Sequence, residues 1–293
     1  MQLVTFAQGD AQQGGVVIGD KVYALADQGL PGTVVELLGL EEAGIAQLAA
    51  AVKSPKGKGI AVSDVKLLAA VPNPPAIFLL AGNYQSHLVE GGGKAVNKAE
   101  ITPRVFIKPI TSVIGPGDPI AVPSVSDTVD YELEIAAIIG KRCKNVAAAD
   151  AYGVVAGYVV FNDVSARELN TVGHRKARDG DGFFDWLIGK WCDSFAAIGP
   201  KLVTRAEIPD PTDLEMSLKV NGELRQHSSA GEMIFTVPET IEYLSKFVTL
   251  EPGTLICMGT PGGVGHTTNT FLQAGDVVLA EIEKLGTLEN PVT

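Results

Sequence analysis

The chain has 293 residues, 46% of them hydrophobic and 19% charged, with a formal net charge of −11. That composition supports one large core, or a large domain with a small one, and excludes a disordered chain. The acidic balance argues against a nucleic-acid or anionic-membrane partner, while leaving room for an anionic substrate where a metal and a few basic residues invert the field locally.

The opening residues, Met1–Asp10, have neither a basic stretch nor a long apolar one, and no window approaches the roughly 18 apolar residues of a membrane helix. Cys143, Cys192 and Cys257 are odd in number and widely spaced, with no C-x-x-C, which suits reduced thiols in a cytoplasmic protein. Residues 2–7 and 15–25 are expected as short strands around a polar turn at Gly9-Asp10 and Gly14-Gly15. Leu37, Leu38, Leu40, Ile45 and Leu48 predict a helix across Thr33–Val52. Lys53–Gly59 has linker composition, which sets off a small N-terminal α/β module at 1–65 from a larger domain at 66–293.

Beyond Val65, short apolar runs alternate with Gly/Pro turns. Strands are expected near 76–81, 105–108, 120–122, 132–139, 158–162, 214–220, 255–259 and 277–282, and helices only near 83–90, 150–155 and 238–247. Many strands and few helices predict a β-rich α+β fold rather than a doubly wound α/β sheet.

Asn83–Glu90 carries His87 and Glu90, which share a helix face at i and i+3, so the carboxylate can fix the imidazole tautomer as in a general base. Gly91-Gly92-Gly93 follows, as in a hinge under a lid; an ordinary helix end with a glycine cap reads the same way.

Glu132 and Glu134 alternate within the apolar run Val129–Gly140. On a strand they point to one face while Tyr131, Leu133 and Ile135 point to the other. A second run, Gly157–Asp163, ends on Asp163. Two adjacent carboxylates on an apolar strand need a cation, and three oxygen ligands suit Mg²⁺, Mn²⁺ or Ca²⁺. The competing reading is the solvated face of an edge strand.

Lys108, Arg167 and Lys190 each end or follow an apolar run, where a cation can hold a substrate carboxylate or an enolate, or simply form a structural ion pair. The strand into Gly259-Thr260-Pro-Gly-Gly-Val-Gly265 offers successive N–H groups and a hydroxyl. G-x-x-x-x-G-K-[ST], G-x-G-x-x-G after a strand and G-x-S-x-G are all absent, so neither a nucleotide cofactor nor a serine hydrolase is indicated.

Taken in order, these stretches resemble the fumarylacetoacetate hydrolase family. The matching residues are Asn83-Tyr84 with His87 and Glu90, Lys108-Pro109 with Thr111-Ser112, and Asp130-Tyr-Glu132-Leu-Glu134. Gly157-Tyr158, Asn162-Asp163-Val-Ser-Ala-Arg167, Gly189-Lys190, Asp193-Ser-Phe195 and Gly199-Pro200 follow. Val220-Asn-Gly222-Glu223 with Gln226 and Gly259–Gly265 complete the set, over about 76–282. The resemblance implies a mixed β-roll catalytic domain and a homodimer. It implies Glu132, Glu134 and Asp163 as ligands of Mg²⁺ (or Mn²⁺ or Ca²⁺), Lys190 beside the substrate, and His87 with Glu90 as the lid pair that activates water. Arg167, Gln226, Thr260, Tyr84 and Lys108 are the implied substrate contacts. Family members act on 2-oxo or 2,4-dioxo acids. A complete His–Glu pair therefore predicts C–C hydrolysis of an acylpyruvate-like or sugar-derived 2,4-dioxo acid to pyruvate, or a pyruvate derivative, and a carboxylic acid. Oxaloacetate decarboxylation and dienoate isomerisation are the alternatives inside the family, and a metal-stabilised binding protein the one outside it. Ala81 stands where the family often has glycine, and Thr171–Trp186, with His174, Arg175 and Arg178, is member-specific and leaves the distal half of the substrate open.

Overall fold

The computed structural model describes residues 1–9, 11–171 and 175–293; Asp10 of the expected first turn and His174 lie outside them. The β-rich expectation holds. A 13-stranded mixed sheet runs through the molecule, beside a four-stranded antiparallel sheet of Glu223–Ser229, Glu215–Val220, Val277–Ile282 and Gly286–Pro291. Among the described residues no helix is long and apolar enough to cross a membrane.

Leu133–Ile139 is a central strand, antiparallel to both Val155–Asp163 and Leu255–Cys257, and buried along its whole length. Its two faces enter different cores: Tyr131, Leu133 and Ile135 one, Ala136 and Ile138 the other. At about 1.5–3 kcal/mol for each large apolar side chain removed from water, this double burial anchors the sheet. It also excludes the solvated edge-strand reading of Glu132 and Glu134.

The N-terminal segment is built into the same sheet. Gln2–Gln8 pairs with Lys201–Thr204, which in turn pairs with Val155–Asp163. We propose the boundary near residue 65 as a division of the sequence alone, although the hydrogen bonding of the sheet runs across it. Locally the structure corrects two expectations. Gly14 and Gly15 lie inside the strand Ala11–Ile18 rather than in a turn, because Gly15 pairs with Val4 and its missing Cβ leaves room for Val22 and Phe6. The helix expected over 33–52 is two, Val34–Gly39 and Glu41–Lys53, broken where Glu41 takes a left-handed φ of 51°. Thr33 and Glu36 close a capping box at the start of the first.

Candidate active site

Three adjacent strands and one turn converge on the site. Asp163 N donates to Glu132 O, and Glu132 N donates to Asn162 Oδ1, which locks the ends of the two central strands in register. One carboxylate oxygen from each of Glu132, Glu134 and Asp163 then lies within 4.8 Å of the others. Glu134 is 1% exposed and Asp163 fully buried.

Cations balance this cluster unevenly. Lys190 Nζ donates to Glu132 Oε2 and Asp163 Oδ2, both at 2.7 Å. Lys108 Nζ donates to Asp163 Oδ1 at 2.5 Å and to the Val164 carbonyl at 2.9 Å. Burial opposes charge on Glu132, but Lys190 and Arg167 outweigh it and hold the carboxyl well below the usual range. Among the described residues Glu134 has no ion pair and accepts one hydrogen bond, from Gly259 N at 2.8 Å. Burial, with Asp163 and Glu132 alongside, pushes its carboxyl well above the usual range. Three buried oxygens with one carboxylate left uncompensated fit a hard divalent cation.

Lys190 sits in an aromatic corner, with Nζ 5.3 Å from the Phe106 ring centre and 5.9 Å from that of Trp186. The two rings meet edge-on at 5.0 Å. Burial works against the ammonium, yet Asp163 and Glu132 dominate and raise its pKa, so it stays charged. Burial wins at Lys108, whose pKa is lowered despite Asp163.

The helix Gln85–Glu90 brings the second group. His87 Nδ1 and Glu90 Oε1 are 2.7 Å apart. Glu90 Oε2 accepts from Gly263 N at 2.6 Å and from Thr267 Oγ1 at 3.3 Å, which fastens this helix to the glycine-rich turn. Burial would raise the Glu90 carboxyl, but the bonds to His87 and Gly263 lower it. Only glycine serves at 263, where φ is 102° and a Cβ would lie 2.2 Å from the Arg225 carbonyl oxygen.

A cavity of about 1180 Å³ opens onto these groups; His87, Glu132, Arg167, Lys190 and Thr260 all line it. Three expected substrate contacts stand behind its wall instead. Tyr84 is fully buried, with its hydroxyl 3.6 Å from Met216 Sδ. Lys108 is spent on Asp163. Gln226 donates to Thr260 Oγ1 and the Pro261 carbonyl and accepts from Leu133 N, so it supports the turn. The cavity also uses residues the sequence reading missed: Phe106, Trp186 and His266. Trp186 rides on the helix Asp181–Ile188, which lacked a clear period within its polar flank and is pinned by Arg175 to Asp181 and Asp185, each at 2.8 Å.

The fumarylacetoacetate (FAA) hydrolase C-terminal family matches residues 76–293. The chain is 38% identical over 303 residues to the mitochondrial oxaloacetate tautomerase fahd2 of Xenopus laevis, covering 100% of this chain and 90% of that one. Among solved structures it is similar to maleylpyruvate hydrolase from Sphingobium sp. SYK-6 in complex with manganese(II) ion and pyruvate. The TM-score is 0.79 at 30% identity, over 100% of this chain and 99% of that one. A 2-hydroxyhepta-2,4-diene-1,7-dioate isomerase from Mycobacterium marinum gives a TM-score of 0.74 at 30% identity, over 100% and 98% of the two chains.

Proposed function

Because this chain belongs to the fumarylacetoacetate hydrolase family, we propose that it is an enzyme of 2-oxo acids that moves a proton at the carbon next to the ketone. Its reaction is then keto–enol interconversion of oxaloacetate or a close dicarboxylic relative. One observation carries the reading: His87, Lys190, Arg167 and Glu132 face a single cavity. One relative that spans the whole chain is an oxaloacetate tautomerase, which points the same way.

Glu132, Glu134 and Asp163 are the residues that would hold the metal, Mg²⁺ or Mn²⁺. When bound, the ion supplies positive charge that favours an enolate oxygen. With Nδ1 donating to Glu90, the His87 ring presents a bare Nε2 to the cavity. That nitrogen takes the proton from the carbon and, as imidazolium paired with Glu90, delivers it to the enolate oxygen; the same two transfers in reverse turn the enol into the ketone. Arg167 and Lys190 offer N–H groups to the substrate carboxylate and the enolate oxygen, and Thr260 adds a hydroxyl. Phe106 and Trp186 keep water from the Lys190 side.

C–C hydrolysis of a 2,4-dioxo acid is the second reading. It is favoured by the same His–Glu pair, which can deprotonate water, and by the likeness to maleylpyruvate hydrolase. We further propose a cytoplasmic homodimer, on the free thiols of Cys143, Cys192 and Cys257 and on the exposed apolar side chains of Ile107, Ile110, Phe183, Phe184 and Ile188. Incubating the Mg²⁺-loaded protein in ¹⁸O-water with enol-oxaloacetate and, separately, with an acylpyruvate tests the choice. Tautomerisation removes the enol absorbance without labelled acid. Label in a carboxylic acid product with an unaltered enol decay rate would replace the first reading by the second.

A further inference from the structure

Asp130 is fully buried, two residues from Glu132, and takes no part in the carboxylate cluster. Its side chain is saturated by donors from three directions. Oδ1 accepts from Tyr131 N at 2.8 Å and from Gly265 N at 2.7 Å. Oδ2 accepts from His266 N at 2.9 Å and from Arg167 Nε at 2.8 Å.

Arg167 is held between this carboxylate and Glu132. Its Nη2 lies 2.8 Å from Asp130 Oδ2 and 2.6 Å from Glu132 Oε1. The side chain is 11% exposed, and it lines the cavity. A guanidinium fixed by carboxylates on its far side and lining the cavity suits a ligand carboxylate arriving there. Backbone pairing brings the two residues together: Asp130 and Ser165 are partners across a short antiparallel ladder that leads straight into Arg167.

We infer that Asp130 is a positioning residue: it aims the Arg167 guanidinium into the cavity and ties it to the Val264–His266 turn. Arg167 without Asp130 is drawn wholly to Glu132, and the angle it offers a ligand carboxylate is lost. The inference rests on the reading of this cavity as a 2-oxo acid site.

The test is a double-mutant cycle on pyruvate binding to the Mn²⁺-loaded protein, measured by calorimetry, with melting temperature as the check on folding. Asp130→Asn is expected to weaken binding by about tenfold or more when Arg167 is present. In an Arg167→Met background it should weaken binding by less than about twofold, because positions that act as one unit are not additive. Equal weakening in both backgrounds, or none in either, overturns the inference. If Asp130→Asn does not fold, Asp130→Glu keeps the charge one methylene away and is held to the same two outcomes. Wild-type protein that ignores pyruvate contradicts the substrate class itself. The coupling is then read from amide exchange without ligand: Arg167→Met should speed exchange at Gly265 and His266, and unchanged rates overturn the inference.

Discussion

Glu90 uses its two oxygens on different neighbours: Oε1 is 2.7 Å from His87 Nδ1, while Oε2 accepts the Gly263 N–H at 2.6 Å. One carboxylate thus links the imidazole to the glycine-rich turn, and we propose that it both sets the imidazole tautomer and holds the helix Gln85–Glu90 closed as a lid. Tautomer control and lid closure should fail together in a Glu90 variant.

His87→Ala is expected to lower turnover by about 10²–10⁴ while leaving metal affinity unchanged. Glu90→Gln should lower turnover and also speed amide exchange across the helix Gln85–Glu90. A Glu90→Gln protein with the lid still protected would separate the two roles and contradict this account.

Gly263→Ala tests the latch without touching a reacting group. The added methyl meets the Arg225 carbonyl, so the turn must shift and the Glu90 anchor with it. Displacements of about 1 Å cost on the order of 10²-fold in well-positioned sites, and a loss of that order in kcat is expected. Unchanged kcat would show that the latch is dispensable.

Metal uptake should release protons, because the Glu134 carboxyl is pushed well above its usual range by burial and by Asp163 and Glu132. The sign of the stability effect follows. A carboxyl whose folded pKa is raised stabilises the metal-free fold below its unfolded pKa, and that contribution is lost as pH rises toward the folded value. Melting temperature of the EDTA-treated protein should therefore fall as pH rises above the ordinary glutamate range, and added Mg²⁺ should remove that slope. Glu134→Gln should flatten it without metal and weaken metal binding by about tenfold or more. An identical slope in the variant would refute the assignment.

Lys190→Ala leaves Glu132 and Asp163 without their shared buried cation. Removing one partner of a buried ion pair costs about 3–5 kcal/mol, so a strongly destabilised metal-free protein is expected, with partial recovery in Mg²⁺. The comparison of melting curves with and without metal checks it.

The carboxylate cluster was legible because strand alternation is a fixed geometry: an apolar run read as a strand puts Glu132 and Glu134 on one face, although the strand itself begins at Leu133, with Glu132 just before it. His87 and Glu90 were legible for the parallel reason on a helix. Tyr84, Lys108 and Gln226 are buried behind the cavity lining, a depth that a motif does not carry, since it shows which residues gather but not which stand behind others. Asp130 and Trp186 went unassigned because their roles depend on pairings across 37 residues, to Arg167, and on ring contact across 80, to Phe106. No local period carries that information. The break at Glu41 was invisible because the leucine spacing runs through it.

If His87 moves a proton on a 2-oxo acid bound to the metal-loaded protein, stopped-flow decay of enol-oxaloacetate absorbance reports it most directly. Mg²⁺-loaded wild-type protein should accelerate the decay in proportion to its concentration, and His87→Ala, with the same metal content, should lose about 10²-fold or more of that rate. Equal rates for the two proteins, or no acceleration by the wild type, would contradict it.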